Sequence, residues 1–359
     1  MLCVLSTVII NKNKIIENFN KLNNITTVYY PIKANSNILV LNILNEIFKK
    51  ENKFLITNIE QFKKIKEVTQ IENIYCINPL MSIKNILYLY NNGIRYFTFD
   101  NLKSIIDFEN NINTEDVNIN IRISISEIFD FDTHLGCSLN EFNEIIKYIK
   151  NKYKTKTLSF YLPDKIKKNK DSIKKMLNYI YTNLNNTDID FINIGGITGK
   201  NISKKIIEEY KEKINLKNIF IEPGYELLKD SSILKNEIIR IKQINNKNIL
   251  IIENGIYNGL LDAKLYDKKF PIIIKIKNGL IRLETEKNKN NNEILIYGSC
   301  CDTKDFIGKY FINKKYINLL TEIEFIYIQD ISSYFENLTT EYGKDLKINY
   351  IIKEDFYEI

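Results

Sequence analysis

Lys33 lies in the heptapeptide Pro31-Ile32-Lys33-Ala34-Asn35-Ser36-Asn37, which directly follows the apolar Val28-Tyr29-Tyr30. A lysine where a buried strand opens into a polar loop sits between two environments. Burial disfavours its charged form, so its amine becomes able to attack a carbonyl carbon. Gly195-Gly196, after Phe191-Ile192-Asn193-Ile194, is a glycine turn whose backbone N–H groups can receive a phosphate. Glu222, closing Ile219-Phe220-Ile221, is a carboxylate able to keep a ring nitrogen protonated. Lysine, phosphate turn and carboxylate together describe a site for a phosphate-bearing carbonyl cofactor of the pyridoxal phosphate kind.

These residues need a scaffold that brings strand ends together. Eight short apolar segments are candidate strands: Val28–Lys33, Phe54–Thr57, Ile74–Asn78, Tyr96–Asp100, Ile119–Ile123, Leu158–Leu162, Phe191–Ile194 and Ile219–Glu222. Stretches with helical apolar spacing, such as Leu39 to Phe48 and Phe142 to Ile149, separate most of them. Eight strand–helix units predict a parallel (β/α)8 TIM barrel, class α/β, whose chemistry gathers at the C-terminal strand ends. The unit carrying the Lys-rich run Lys165 to Lys175 is the least regular, and Pro31 removes a ladder donor from the first strand. After about Gly224 the pattern turns to short strands with Asn, Lys and Gly turns. The expected domains are a barrel over 25–225 and a mostly-β domain, sandwich-like or barrel-like, from 1–24 plus 226–359. That second domain takes in the apolar N-terminal strand.

Composition removes other classes. There are 51 Lys and Arg against 44 Asp and Glu, and the two signs are interspersed. Only Arg95, Arg122, Arg240 and Arg282 are arginines, the preferred readers of phosphates and guanines, so nucleic acid is excluded as a partner. No apolar run is long enough for a membrane helix, and Met1 to Ile10 reads as a strand rather than a leader. Five cysteines, without metal-ligand spacing, predict a reduced, cytoplasmic protein with no metal.

The ordered motifs resemble those of the fold-III pyridoxal-phosphate-dependent decarboxylases, which act on ornithine, lysine, arginine-type substrates and diaminopimelate, and most of all the ornithine/lysine branch. Tyr30 to Asn37 is similar to the family's lysine motif, Ile74-Tyr75-Cys76-Ile77-Asn78-Pro79 to its third strand and Phe97-Thr98-Phe99-Asp100 to its fourth. Ile192 to Gly196 resembles the phosphate turn, Ile221-Glu222-Pro223-Gly224 the Glu-Pro-Gly segment, and Tyr297 to Asp305 the late Cys-Asp motif. The resemblance implies a homodimer that decarboxylates a basic amino acid to a diamine, in polyamine biosynthesis, with active sites at the interface. It implies that Lys33 bonds to the cofactor aldehyde and that Glu222 faces the pyridine nitrogen. Gly195, Gly196 and Tyr334 would hold the phosphate. Cys301, from the second copy, would return a proton to the substrate, and Asp302 with Asp267 would grip its distal ammonium.

Several positions depart from the family pattern. Tyr225 stands for an arginine that pairs with the phosphate, and Ile197 for the third glycine of the turn. Tyr161 replaces a histidine that stacks on the ring, and Asp164 replaces a serine and would repel the phosphate. Phe54 takes the place of an acidic residue beside the cofactor, and His134 that of a Lys or Arg. Tyr161 can still stack and Tyr225 can still hydrogen-bond. Such changes also suit an alternative, a non-catalytic homologue that regulates partner proteins and has an eroded phosphate site.

Overall fold

A computed structural model describes residues 6–356 apart from 168, 170, 185–187, 197–201, 332, 341 and 343–347. The chain falls into two compact units, Glu17–Leu227 and Met1–Ile16 with Leu228–Ile359.

After β1 (Thr7–Asn11), which belongs to the other unit, the first unit holds eight parallel strands. They are β2 (Thr27–Pro31), β3 (Lys53–Ile56), β4 (Ile74–Cys76), β5 (Tyr96–Phe99), β6 (Asn118–Arg122), β7 (Thr155–Ser159), β8 (Phe191–Asn193) and β9 (Asn218–Ile221). Their order, β4-β3-β2-β9-β8-β7-β6-β5, is that of a nearly closed TIM barrel. Among the described residues no backbone ladder joins β4 to β5; the Thr98 hydroxyl donates across that seam to the Cys76 carbonyl (3.1 Å). Pro31 is accommodated because it ends β2, and Ile32 makes the next donation, to Leu55 O (3.0 Å).

Alternation along the strands sorts their side chains. Tyr29 stacks on Phe220 (centroids 4.0 Å) and meets Tyr75 edge-on (5.6 Å); Tyr75 stacks on Tyr96 (4.0 Å). Leu55 joins Tyr29 and Phe220 in this interior cluster. Its neighbour Phe54 therefore faces outward, buried against Phe48 (4.8 Å). This corrects the expectation that Phe54 lies beside a cofactor: a one-residue step along a strand reverses the face. The barrel is a packed core, so chemistry is confined to its rim.

Asn and Ser start the helices. Asn37 accepts from Leu39 N–H, Asn58 from Gln61, Asn101 from Ser104, Ser138 from Glu141 and Ser203 from Ile206, each satisfying a first-turn amide. The caps Asn58 and Asn101 follow β3 and β5 almost at once, leaving short loops there. The connections after β2, β4 and β6 are longer. The Lys-rich run begins in the helix Asp164–Lys167 and ends in the helix Ser172–Leu184.

The second unit is a β domain of β10 (Ser232–Ile244), β11 (Lys247–Ile252), β12 (Ile272–Ile276), β13 (Gly279–Arg282), β14 (Asn291–Tyr297), β15 (Phe306–Asn313), β16 (Ile323–Gln329) and β17 (Asn349–Lys353), together with β1. As expected, the N-terminal segment joins it: β1 pairs antiparallel with β10 and parallel with β17. The first half of β10 pairs with β1 and β16 and the second half with β11. A register shift between Ile238 and Arg240 bends it from one set of partners to the other. Ile9, Ile233 and Tyr327 are buried at the centre of the first set.

Candidate active site

Lys33 follows β2 in a tight turn closed by Ala34 N–H to Pro31 O (2.9 Å), which releases it from the ladder. The turn is held from behind, where the buried Tyr30 hydroxyl donates to Asn35 O (2.9 Å) and Asn35 Oδ1 accepts from Asn37 N–H (2.9 Å). The Lys33 side chain is exposed, contrary to the burial expected from the sequence, although its neighbours Ile32 and Ala34 are fully buried. The burial falls instead on a lysine that sequence reasoning left inside a charge run, Lys167.

After β8, Gly195 adopts φ +68°, and a Cβ there would lie 2.8 Å from Phe160 O, so only glycine fits. Asn193, buried in β8, ties this turn to the carboxylate: its Oδ1 accepts from Gly195 N–H (2.9 Å) and its Nδ2 donates to Glu222 Oε1. Glu222 N–H donates in turn to Gly195 O (2.9 Å). Two of the expected residues, Gly195 and Glu222, are thus joined through Asn193, which motif reading passed over. Ile197, expected to crowd the turn, lies outside the described residues.

Tyr161, after β7, packs on the turn: its Cδ2 is 3.5 Å from the Cβ position of Gly195. Lys167 lies over its ring, with Nζ 4.5 Å from the centroid and 3.9 Å from the Cβ position of Gly196. Burial lowers the Lys167 pKa, the Asp164 carboxylate opposes this, and the positive charge of Lys33 lowers it further. Asp164 itself turns to solvent, its side chain 92% exposed and paired with Lys167 (3.4 Å). That corrects the expectation of a carboxylate aimed at the phosphate end, since the helix Asp164–Lys167 points its first residue outward. Tyr225, starting the helix Tyr225–Leu228, is 40% exposed.

Arg122, at the end of β6, also belongs to this rim. Burial lowers its pKa, while the charges of Glu222 and Asp100 support the guanidinium. Its place at a strand end among only four arginines was the signal that could have found it. His134 is exposed in the β6 loop. That loop is pinned by Gly136, whose N–H donates to Asp100 Oδ2 (3.2 Å).

The remaining expected residues lie in the β domain. Cys301 is exposed and Cys300 half-buried, in the loop between β14 and β15. The buried Asp305 builds that loop: it accepts from Ile256 N–H (2.7 Å) and Cys300 N–H (3.0 Å). Gly255 and Gly298 pass so close that a Cβ on either would sit 2.1–2.2 Å from the Asp305 carboxylate. Asp302 accepts from the Tyr257 hydroxyl (2.6 Å) and Lys304 N–H (2.8 Å), which hold its carboxyl below the usual range; Asp302 in turn pushes the Tyr257 phenol up to about 12. Tyr257 is a further residue that motif reading missed. Asp267 is exposed in the left-handed region (φ +47°), with Lys269 at 3.8 Å. Tyr334 is half-buried, also at positive φ (+66°). Among the described residues no group of His, Cys, Asp or Glu is placed to hold a metal ion, and no helix is long and apolar enough to cross a membrane.

The barrel-rim residues fit pyridoxal phosphate: a glycine cradle that a Cβ would fill, an exposed lysine on a fixed turn, and a carboxylate locked to that cradle. The family described as pyridoxal-dependent decarboxylase, C-terminal sheet domain, matches residues 4–331. A diaminopimelate decarboxylase of Buchnera aphidicola subsp. Baizongia pistaciae is 26% identical over 163 residues, a match covering 43% of this chain and 36% of that relative. Among solved structures, the arginine decarboxylase of Paramecium bursaria Chlorella virus superposes with TM-score 0.79 at 15% identity, over 98% of this chain and 97% of that one. The lysine/ornithine decarboxylase of Vibrio vulnificus, complexed with cadaverine, gives 0.75 at 15% over 99% and 96%. The diaminopimelate decarboxylase of Helicobacter pylori, complexed with L-lysine, gives 0.77 at 18% over 99% and 93%. At these identities the structures establish the fold alone.

Proposed function

Since the chain belongs to the pyridoxal-dependent decarboxylase family, we propose that it removes the α-carboxyl group of a basic amino acid, of the ornithine or lysine type, and releases a diamine. The observation that carries this reading is the wiring of Gly195 to Glu222 through Asn193 at the rim that also holds Lys33. When bound, pyridoxal phosphate supplies the electron sink for the pair left behind by carbon dioxide. The protein does the rest. Lys33 would hold the cofactor aldehyde, Glu222 would face the ring nitrogen, and Gly196 would offer its backbone N–H to the phosphate, while Gly195, whose own N–H is taken by Asn193, lets the turn close. Tyr161 covers the ring, with Tyr225 and Tyr334 as further hydroxyl donors.

Substrate recognition and protonation fall to the β domain of a second copy, in a homodimer with active sites at the interface. There the Cys301 thiol returns a proton to the substrate α-carbon. Asp302 and Asp267 face the distal ammonium, which needs compensating charge once desolvated. The Tyr257 hydrogen bond supports this role for Asp302, because it keeps the carboxylate ionised and fixed.

The test is carbon dioxide release from ornithine, lysine, arginine and diaminopimelate, with Lys33→Ala as control. Activity on one of them, lost in the variant, is expected; equal release by both proteins would overturn the catalytic role of Lys33. The exposed Tyr225, in place of a phosphate-binding arginine, favours a second reading, a regulator that binds partner proteins without catalysis. That reading predicts no absorbance near roughly 420 nm after pyridoxal phosphate is added. A band that borohydride abolishes would remove it.

A further inference from the structure

We propose that Lys167 supplies the cation for the cofactor phosphate, taking over from the arginine that Tyr225 replaces. The inference rests on the reading that the barrel rim binds pyridoxal phosphate, and goes beyond it in assigning a residue from outside the family's motifs. Lys167 Nζ stands 3.9 Å from the Cβ position of Gly196, beside the turn proposed to receive the phosphate. Only 8% of the residue is exposed, which is unusual for lysine. Its carboxylate neighbour Asp164 is 3.4 Å away and almost wholly in solvent, so it compensates the buried ammonium weakly.

Lys33 acts on the same group with like charge. A phosphate near pH 7 carries between about one and a half and two negative charges and would attract both ammonium groups. The chain aims Lys167 by a short device: Pro163 O accepts from Lys167 N–H (3.0 Å), which closes the turn and returns the side chain across Tyr161. The division of labour is chemically sensible. The Gly196 amide would give a directed hydrogen bond, and the lysine a compact charge that does not need the planar fit of a guanidinium.

The experiment compares equilibrium binding of pyridoxal phosphate and of pyridoxal, which lacks the phosphate, to the full chain and to Lys167→Met, Lys167→Arg and Asp164→Asn. Lys167→Met is expected to weaken pyridoxal phosphate about 10- to 100-fold and to leave pyridoxal unchanged. Lys167→Arg should keep most of the preference for the phosphorylated form. Asp164→Asn, which removes a competing carboxylate without touching the lysine, should tighten pyridoxal phosphate alone. If the natural chain prefers the phosphorylated form and Lys167→Met keeps that preference, the assignment to Lys167 falls while the cofactor reading stands. If Lys167→Met fails to fold, Asp164→Asn decides: unchanged or weaker binding of pyridoxal phosphate overturns the proposal. If the natural chain binds neither compound, the cofactor reading falls and takes this one with it.

Discussion

Gly195 is the rim residue that tolerates least change. A side chain at φ +68° costs about 1–2 kcal/mol for any L residue, and its Cβ would press on Phe160 O. Gly195→Ala should therefore lower stability by at least that amount in urea unfolding and also impair phosphate binding; a variant as stable as the natural chain would contradict the geometry. The Tyr257–Asp302 pair makes a prediction about pH. Tyr257, with Lys304 N–H, depresses the Asp302 pKa, so the folded carboxylate is favoured. This contribution to stability is present above the ordinary aspartate range and is lost as pH falls through the depressed folded value. Tyr257→Phe should move the Asp302 titration up toward an ordinary carboxyl, read from its carboxyl-carbon shift by NMR. A titration that does not move would acquit Tyr257. Both glycines and Asp302 were legible in the sequence because motifs carry them. Tyr257, Asn193 and Lys167 were not, since each acts through a contact made only after folding.

Loops of the β domain depend on a single buried acid. Asp305 accepts two backbone N–H groups from separate segments and lies where Gly255 and Gly298 almost touch. Asp305→Ala strands both donors and should cost about 1–3 kcal/mol for each, seen as a lower urea midpoint. Asp305→Asn should also destabilise, because its amide nitrogen would face one of those N–H groups; a neutral result would mean that water replaces the carboxylate easily. The strand–helix rhythm was readable for similar local reasons. Asn37, Asn58, Asn101, Ser138 and Ser203 cap helices next to apolar strands, so period and cap agree. Facing was harder to read. Phe54 and Leu55 are equally apolar, and only strand pairing decides which of them enters the barrel.

At the scale of the whole molecule, the expected chemistry is divided between the barrel, with Lys33 and Glu222, and the β domain, with Cys301 and Asp302. If a homodimer completes each site with one set from each copy, inactive Lys33→Ala and Cys301→Ala chains should complement each other. Random reassociation gives one intact site in every mixed dimer, and so about a quarter of full activity. No recovery after mixing would show that each copy works alone. The seam between β4 and β5 has a dynamic consequence. Among the described residues, seven of the eight junctions in a closed ring of strands carry backbone ladders, and this one has a side-chain hydroxyl bond across it. Breathing of the barrel should begin there. Cys76 is a built-in reporter of it, with its thiol buried on the seam and pushed up to about 12 by burial. Under mild denaturant a thiol-labelling reagent should reach Cys76 before Cys137, whose strand-end segment is bonded to both sides of Arg122–Ser124. The ratio of the two labelling rates would time the opening of the ring with the chain's own cysteines.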